Sequence, residues 1–293
     1  RWLYSTIAAF MWMMTTLFSM EYFARHGNRG RYCFFSLLTC GATMGVFLSD
    51  SLFTLFLFFE IMGLTSFVMV IQEETAAAGR AARTYLAIAV IGGLCALFGI
   101  FMIAAGTGNL SMDSLEQFRK ATGGTWPLYL AGALLLAGFG AKAGMYPLHV
   151  WLPNAHPVAP APASALLSGI LTKTGVFGIL MVTVTMFRHD RVWGMVLLAP
   201  GAVTMVLGAI LAVFSIDLKR TLACSSMSQI GFILTGCSMQ CLLGEENGLA
   251  VSGTVLHMVN HSGIWQEQAV FDAGFCHGGI WHMRHSTLER VCE

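Results

Sequence analysis

Apolar runs of about 20 residues recur along this chain, a length that crosses a hydrocarbon core of roughly 30 Å. No other feature constrains the fold as strongly. A backbone that crosses lipid must satisfy its own hydrogen bonds, which leaves helices and closed barrels. Barrel strands would alternate apolar and polar residues over about ten positions, and that pattern is absent from the sequence. Composition agrees. Of 293 residues, 56% are hydrophobic and 11% charged, with a mean hydropathy of +0.70. A soluble domain carries roughly 25% charged residues. The chain is read as an all-α polytopic membrane protein with about nine transmembrane helices.

The expected spans are 2–23, 32–49, 52–71, 84–105, 127–150, 161–187, 192–215 and 218–240, with a ninth beginning near Leu249. Residues 109–121 (NLSMDSLEQFRKA) suit a short amphipathic helix at the membrane interface. Residues 1–265 are expected to form one transmembrane domain, with 31–187 and 192–265 as its two parts. Residues 266–293 are polar and histidine-rich, and are expected to be a disordered or frameshifted tail. Arg1 opens directly into an apolar run without an initiator Met, as expected of a chain that begins part-way through a longer one.

Loops after odd-numbered spans carry Arg25, Arg29, Arg31, Arg80, Arg83, Lys219 and Arg220, and the opposite side carries Arg1, Arg119, Lys120, Arg188 and Arg191. The imbalance leans toward odd-numbered loops being cytoplasmic in a multi-pass protein of the cell (inner) membrane. The net charge of +1 gives no sign of a nucleic-acid partner, and none is expected. The eight cysteines are scattered without a CxxC pair and read as small packing residues.

Against this background a few polar side chains stand out. Glu60 lies in LFLFFEIMGLTSF, Lys142 in LLLAGFGAKAGMY and Lys173 in LLSGILTKTGVFGIL. An ionisable group at membrane depth costs roughly 2.5–3.5 kcal/mol on insertion scales, and such residues commonly mark a pathway. His257 and His261 stand four apart on one helix face. The blander alternative for each is a satisfied polar residue that fixes helix packing. The histidine pair alone favours that alternative, and it lacks a third ligand for a metal. Together, a carboxylate and two amines in a low-dielectric bundle can exchange protons. Burial disfavours a charged amine and a neighbouring carboxylate favours it, so moving the carboxylate would load or unload the amine.

Local sequence adds a helix break. Pro147 cannot donate to the carbonyl of Ala143, and Gly138, Gly140 and Gly144 flank the same turn, so a broken helix is expected over Lys142–Pro147. Pro153, Pro157, Pro160 and Pro162 read as a stiff connector to the next span. Trp151 reads as an interfacial anchor. His149 and His156 read as wet loop histidines or, less commonly, as aids to proton uptake. No GxxxxGK motif occurs, which disfavours an ATP-driven pump.

The string AKAGMYPLHVWLPNAHPVAPAPASALLSGILTKTGVFGIL closely resembles the core of the proton-conducting, antiporter-like membrane subunits. These occur in respiratory complex I, in energy-converting membrane-bound hydrogenases and in multisubunit Na+/H+ antiporters. LFLFFEIMGLTSF and DLKRTLACSSMSQIGFILTG resemble two further blocks of the family, and the likeness covers about residues 1–261. It implies one complete five-helix repeat and part of an inverted second one. It also implies that Glu60 controls Lys142 on the broken helix, and that Lys173 connects onward to His257 and His261. The implied partners are other membrane subunits and, through them, a peripheral redox arm. No cofactor is expected in this chain. Lys173, where the largest complex I subunit has histidine, leans toward the other branches.

The likeness fades after His261. The family lysine expected four residues on is replaced by Trp265, and Gln266, Glu267, Gln268 and Asp272 interrupt the apolar run. Cys276, His277, His282, His285 and Cys292 match no familiar zinc spacing. The leading expectation is therefore a proton-translocating subunit of a redox-driven complex. The alternatives are a component of a multisubunit Na+/H+ antiporter and a non-conducting truncated remnant.

Overall fold

The computed structural model describes residues 1–24, 28–243 and 248–277, with side chains described as far as Ser262. The described elements are α1 (Trp2–Tyr22), α2 (Arg29–Leu48), α3 (Leu52–Val70), α4 (Ala76–Thr107), α5 (Ser114–Thr122), α6 (Trp126–Ala143), α7 (Trp151–Val158), α8 (Ala161–Leu166), α9 (Thr172–Met186), α10 (Arg191–Val213), α11 (Leu218–Leu242) and α12 (Gly248–His277). A 3₁₀ turn, Leu148–Val150, precedes α7, and a π turn, Leu167–Leu171, joins α8 to α9. The protein is an all-α polytopic membrane protein. Eight spans among the described residues are long and apolar enough to cross a bilayer, with α6–α7 and α8–α9 each counting as one. The ninth expected span corresponds to α12. Of the expected tail, the backbone to His277 continues α12, and residues 278–293 lie outside the described residues.

Helix starts follow local chemistry. Thr75 accepts from the amide of Ala78, Asp190 from Val192 and Trp193, and Asp217 from Arg220, each satisfying a donor that the first helical turn leaves free. Spans differ in how much lipid they meet. The α8–α9 span is 89% buried within the protein and α6–α7 72%, whereas α10 is only 22% buried. The first two are therefore the centre of the bundle, and α10 is peripheral. Glycines allow the centre to pack tightly. A Cβ on Gly175 would collide with the backbone of Phe139 and Ala143, and one on Gly178 with the Phe139 ring. Small residues at such crossings let backbones approach.

Loop contacts sort the chain ends of the spans into two sets. Gln72 donates to the carbonyl of Asn28, Arg31 pairs with Glu74, and Lys219 donates to Ala159 O at 3.0 Å. These segments all follow odd-numbered spans. On the other set, Leu52 N donates to Leu110 O, Met112 N to Asp50 O, and Arg119 to Arg188 O. The alternation matches successive membrane crossings.

Four expectations from sequence change. The span expected over 84–105 begins eight residues earlier, at Ala76, and runs to Thr107. The amphipathic helix, α5, buries Leu115 and Phe118 within the protein, with Phe118 against Gly106 of α4; that apolar face is not left for lipid. The proline-rich connector is largely helical: Pro153 falls in the first turn of α7 and Pro162 opens α8, positions where a missing N–H costs little, while Pro157 lies within α7 and Ala159 and Pro160 separate the two helices. Trp151, expected at the interface, is 1% exposed.

Candidate functional site

Helix α6 ends where the sequence break was expected, but Gly144 makes the turn. Its φ of +80° is left-handed, a region open to glycine without penalty. Gly144 N donates to Ala141 O at 3.3 Å and Met145 N to Gly140 O at 2.9 Å, a Schellman closure. Pro147 follows three residues later, after the chain has already left the helix. Two consequences bear on Lys142. It stands in the last turn of α6, where the partial negative charge of the helix end favours a cation. The carbonyl of Ala141 also accepts from the indole of Trp151 at 2.7 Å, which ties the second half of the broken span back onto the first. The carbonyl at the break thereby gains a second, shorter bond from inside the protein, where no water could supply one.

Lys142 is 4% exposed. Its Nζ donates to Tyr85 Oη at 2.5 Å, and Tyr85 Oη lies 2.6 Å from Ser66 Oγ. Glu60, half-buried on α3, packs so closely on Gly93 that a Cβ there would overlap its carboxylate. Glu60 and Lys142 line one crevice with Phe59, Gly63, Leu86 and Gly138. They do not form a direct ion pair; the ion pairs among the described residues join Arg1 to Asp50, Arg31 to Glu74 and Lys120 to Glu116, at the ends of the spans.

The second group centres on Lys173, which is fully buried. The π turn just before it, Leu167–Leu171, holds an extra residue per turn, so Thr172 N donates to Leu167 O, five residues back instead of four. Ser168 O accepts from Lys173 Nζ at 2.5 Å and from Thr172 Oγ1 at 2.9 Å. Lys173 Nζ also stands 2.6 Å from His261 Nδ1, and His261 Nε2 lies 3.3 Å from Ser226 Oγ. The structure thus joins α9, α12 and α11 through one lysine and one histidine. His257, one turn earlier on α12, is half-buried, and its ring lies 5.9 Å from that of Phe232. His156, expected in a wet loop, is fully buried on α7, within electrostatic reach of Lys173 and Lys219. His149 is half-buried beside Tyr146, with ring centroids 5.7 Å apart.

Four of the residues singled out in the sequence therefore fall into two groups, Glu60 with Lys142 and Lys173 with His261, and His257 stands one turn away from the second. Tyr85, Ser66 and Ser226 complete their polar contacts and carried no signal in the sequence, because hydroxyl residues are common in apolar helices. The π turn was equally silent, since LSGIL has no marker beyond one glycine. Among the described residues, no three His, Cys, Asp or Glu side chains gather as a metal site would need.

Comparison with known proteins gives this geometry a context. The family described as NADH:quinone oxidoreductase/Mrp antiporter, TM, matches residues 49–269. The chain is 32% identical over 260 residues to hydrogenase-4 component B of Escherichia coli (strain K12), covering 85% of this chain and 38% of that protein. It is 32% identical to a Na+/H+ antiporter subunit of Alkalihalophilus pseudofirmus, covering 78% of this chain and 45% of the relative. It is 33% identical to NAD(P)H-quinone oxidoreductase chain 4 1 of Synechococcus sp. (strain JA-3-3Ab), with 78% and 43% covered. Among solved structures, a chain of the membrane-bound sulfane sulfur reductase, an archaeal respiratory membrane complex, superposes with a TM-score of 0.80 at 29% identity, over 92% of this chain and 44% of its own length. The chain spans less than half the length of these relatives. The family match over residues 49–269 and the helical fold agree: this chain belongs to the NADH:quinone oxidoreductase/Mrp antiporter transmembrane family.

Proposed function

We propose that the protein is a proton-translocating subunit of a redox-driven, multisubunit membrane complex, of the quinone-oxidoreductase or energy-converting-hydrogenase kind. Glu60, Lys142, Lys173, His257 and His261 move the proton. The observation that carries this reading is the buried Lys173, held between a backbone carbonyl and His261. A basic side chain removed from water and bonded to a second titratable ring is suited to passing a proton, and is costly as mere packing. Lys142 and Glu60 supply a second basic and acidic pair nearer the broken helix. This chain binds no cofactor of its own. It docks against other membrane subunits in the cell membrane, and a peripheral arm supplies the driving reaction. Residues 31–187 form the complete first repeat, and the loops after odd-numbered spans face the cytoplasm. The test is proton uptake by vesicles holding the reconstituted complex, with Lys173→Met or Glu60→Gln. Electron transfer without proton uptake is expected. Undiminished pumping in both variants would sink the proposal.

A second reading is a Na+/H+ exchanger component with no redox partner, favoured by the 32% identity to the Alkalihalophilus pseudofirmus antiporter protein. Sodium-driven pH changes in vesicles without any electron donor would select it.

A further inference from the structure

Glu60 and Lys142 share a crevice, yet Lys142 is held by a different side chain. Tyr85 of α4 occupies the place a paired carboxylate would take, 2.5 Å from Lys142 Nζ. The direction of its hydrogen bonds follows from its neighbours. Ser66 Oγ lies 2.5 Å from Met62 O and 3.1 Å from Gly63 O, so the serine hydrogen goes to the backbone. Ser66 Oγ therefore accepts from Tyr85, 2.6 Å away, and the phenol turns its lone pairs to Lys142. The ring cannot swing aside. Tyr85 is 1% exposed and stands edge-on to Trp151 at 4.9 Å, and Trp151 is itself pinned to Ala141 O.

We propose that Tyr85 is a positioning residue that competes with Glu60 for Lys142. It holds the amine on the α4–α7 side of the crevice whenever Glu60 does not. The hydroxyl chain ends at a backbone carbonyl, which has no proton to hand on, so Tyr85 is a holding partner and conducts nothing. This inference rests on the proton role proposed for Lys142, and it adds the second of the two places between which that lysine moves.

The test uses the full complex in vesicles. Tyr85→Phe keeps the ring and its packing on Trp151 but removes the acceptor. The transport rate is expected to fall about tenfold, the scale of one lost charged hydrogen bond. The infrared carboxylate band of Glu60, identified as the band that Glu60→Gln removes, is expected to shift as Lys142 settles on it. A purely structural role for Tyr85 would leave that band in place, so an unshifted band overturns the proposal whatever the rate. If Tyr85→Phe does not assemble, Ser66→Ala removes the phenol's acceptor. It should give a several-fold loss and a shift in the same direction; an unshifted band there overturns the proposal equally. A Lys142→Ala complex that still transports protons would instead overturn the proton reading itself, and the role of Tyr85 with it.

Discussion

Lys142 and Lys173 stand on the two most buried spans, and each lies beside a flaw in its helix, yet the flaws differ in kind. Lys142 sits at the end of α6, where a left-handed glycine stops the helix and the chain restarts as α7. Lys173 follows a π turn in a span that never stops. The consequences diverge. A helix end supplies Lys142 with a favourable partial charge and leaves it a choice of side-chain partners, Tyr85 or Glu60, across a crevice. A widened turn supplies Lys173 with the Ser168 carbonyl, which Thr172 also uses, and with one histidine. In the proposed scheme the first lysine changes partner, and the second is clamped. A broken helix thus suits a switching position, and a continuous one suits a relay that stays in register.

That contrast can be broken at several points. The largest effect is expected from Lys173→Met, which removes the amine at the centre of the clamp; proton uptake by reconstituted vesicles should be lost while the complex still assembles. Residual uptake above background would show that the clamp is dispensable. Gly175→Val should come next. Its added carbons meet the backbone of Phe139 and Ala143, which cannot yield as a flexible side chain would. Overpacking of this kind costs about 1–3 kcal/mol, and the thermal unfolding midpoint in detergent should drop accordingly. An unchanged midpoint would mean α6 and α9 are less tightly joined than the geometry implies.

Trp151→Phe keeps most of the ring but removes the indole donor to Ala141 O. One hydrogen bond in this range is worth about 0.5–1.5 kcal/mol. Hydrogen exchange should therefore accelerate at the α6–α7 junction and not in α9. Equal acceleration in both would show that the two flaws are one mechanical unit. The smallest effect is expected from Ser226→Ala. The 3.3 Å contact to His261 Nε2 is long, and its loss should slow transport less than twofold in a stopped-flow assay, because Lys173 still holds the other ring nitrogen. A larger loss would make Ser226 part of the path.

Much of the site was legible in the chain because lipid makes charge conspicuous. In a bundle this apolar, Glu60, Lys142 and Lys173 are visible by their cost alone. The break near Lys142 was legible too, since Gly144 and Pro147 act on their own backbone. Of the two, the proline draws the eye, but the glycine three residues earlier ends the helix. His156 and Trp151 were misplaced for a related reason. Four prolines suggest a stiff connector, yet Pro153 and Pro162 fall in first turns, where the ring is tolerated, and most of the segment folds inward as two short helices, α7 and α8.

The sequence by itself determined the approximate placement of eight spans, the membrane as solvent, the position of the break and the identity of the costly charges. Each of these depends on one residue, or on a run of neighbours, meeting a medium without water. Only the tertiary structure decided which groups face one another. Tyr85 reaches Lys142 from 57 positions away, and His261 reaches Lys173 from 88. The π turn belongs to the same class, because LSGIL carries no marker for it. Pairings at that separation are set by how whole helices cross, through close approaches such as Gly175 on Ala143; small residues permit a close crossing but do not name the helix that makes it.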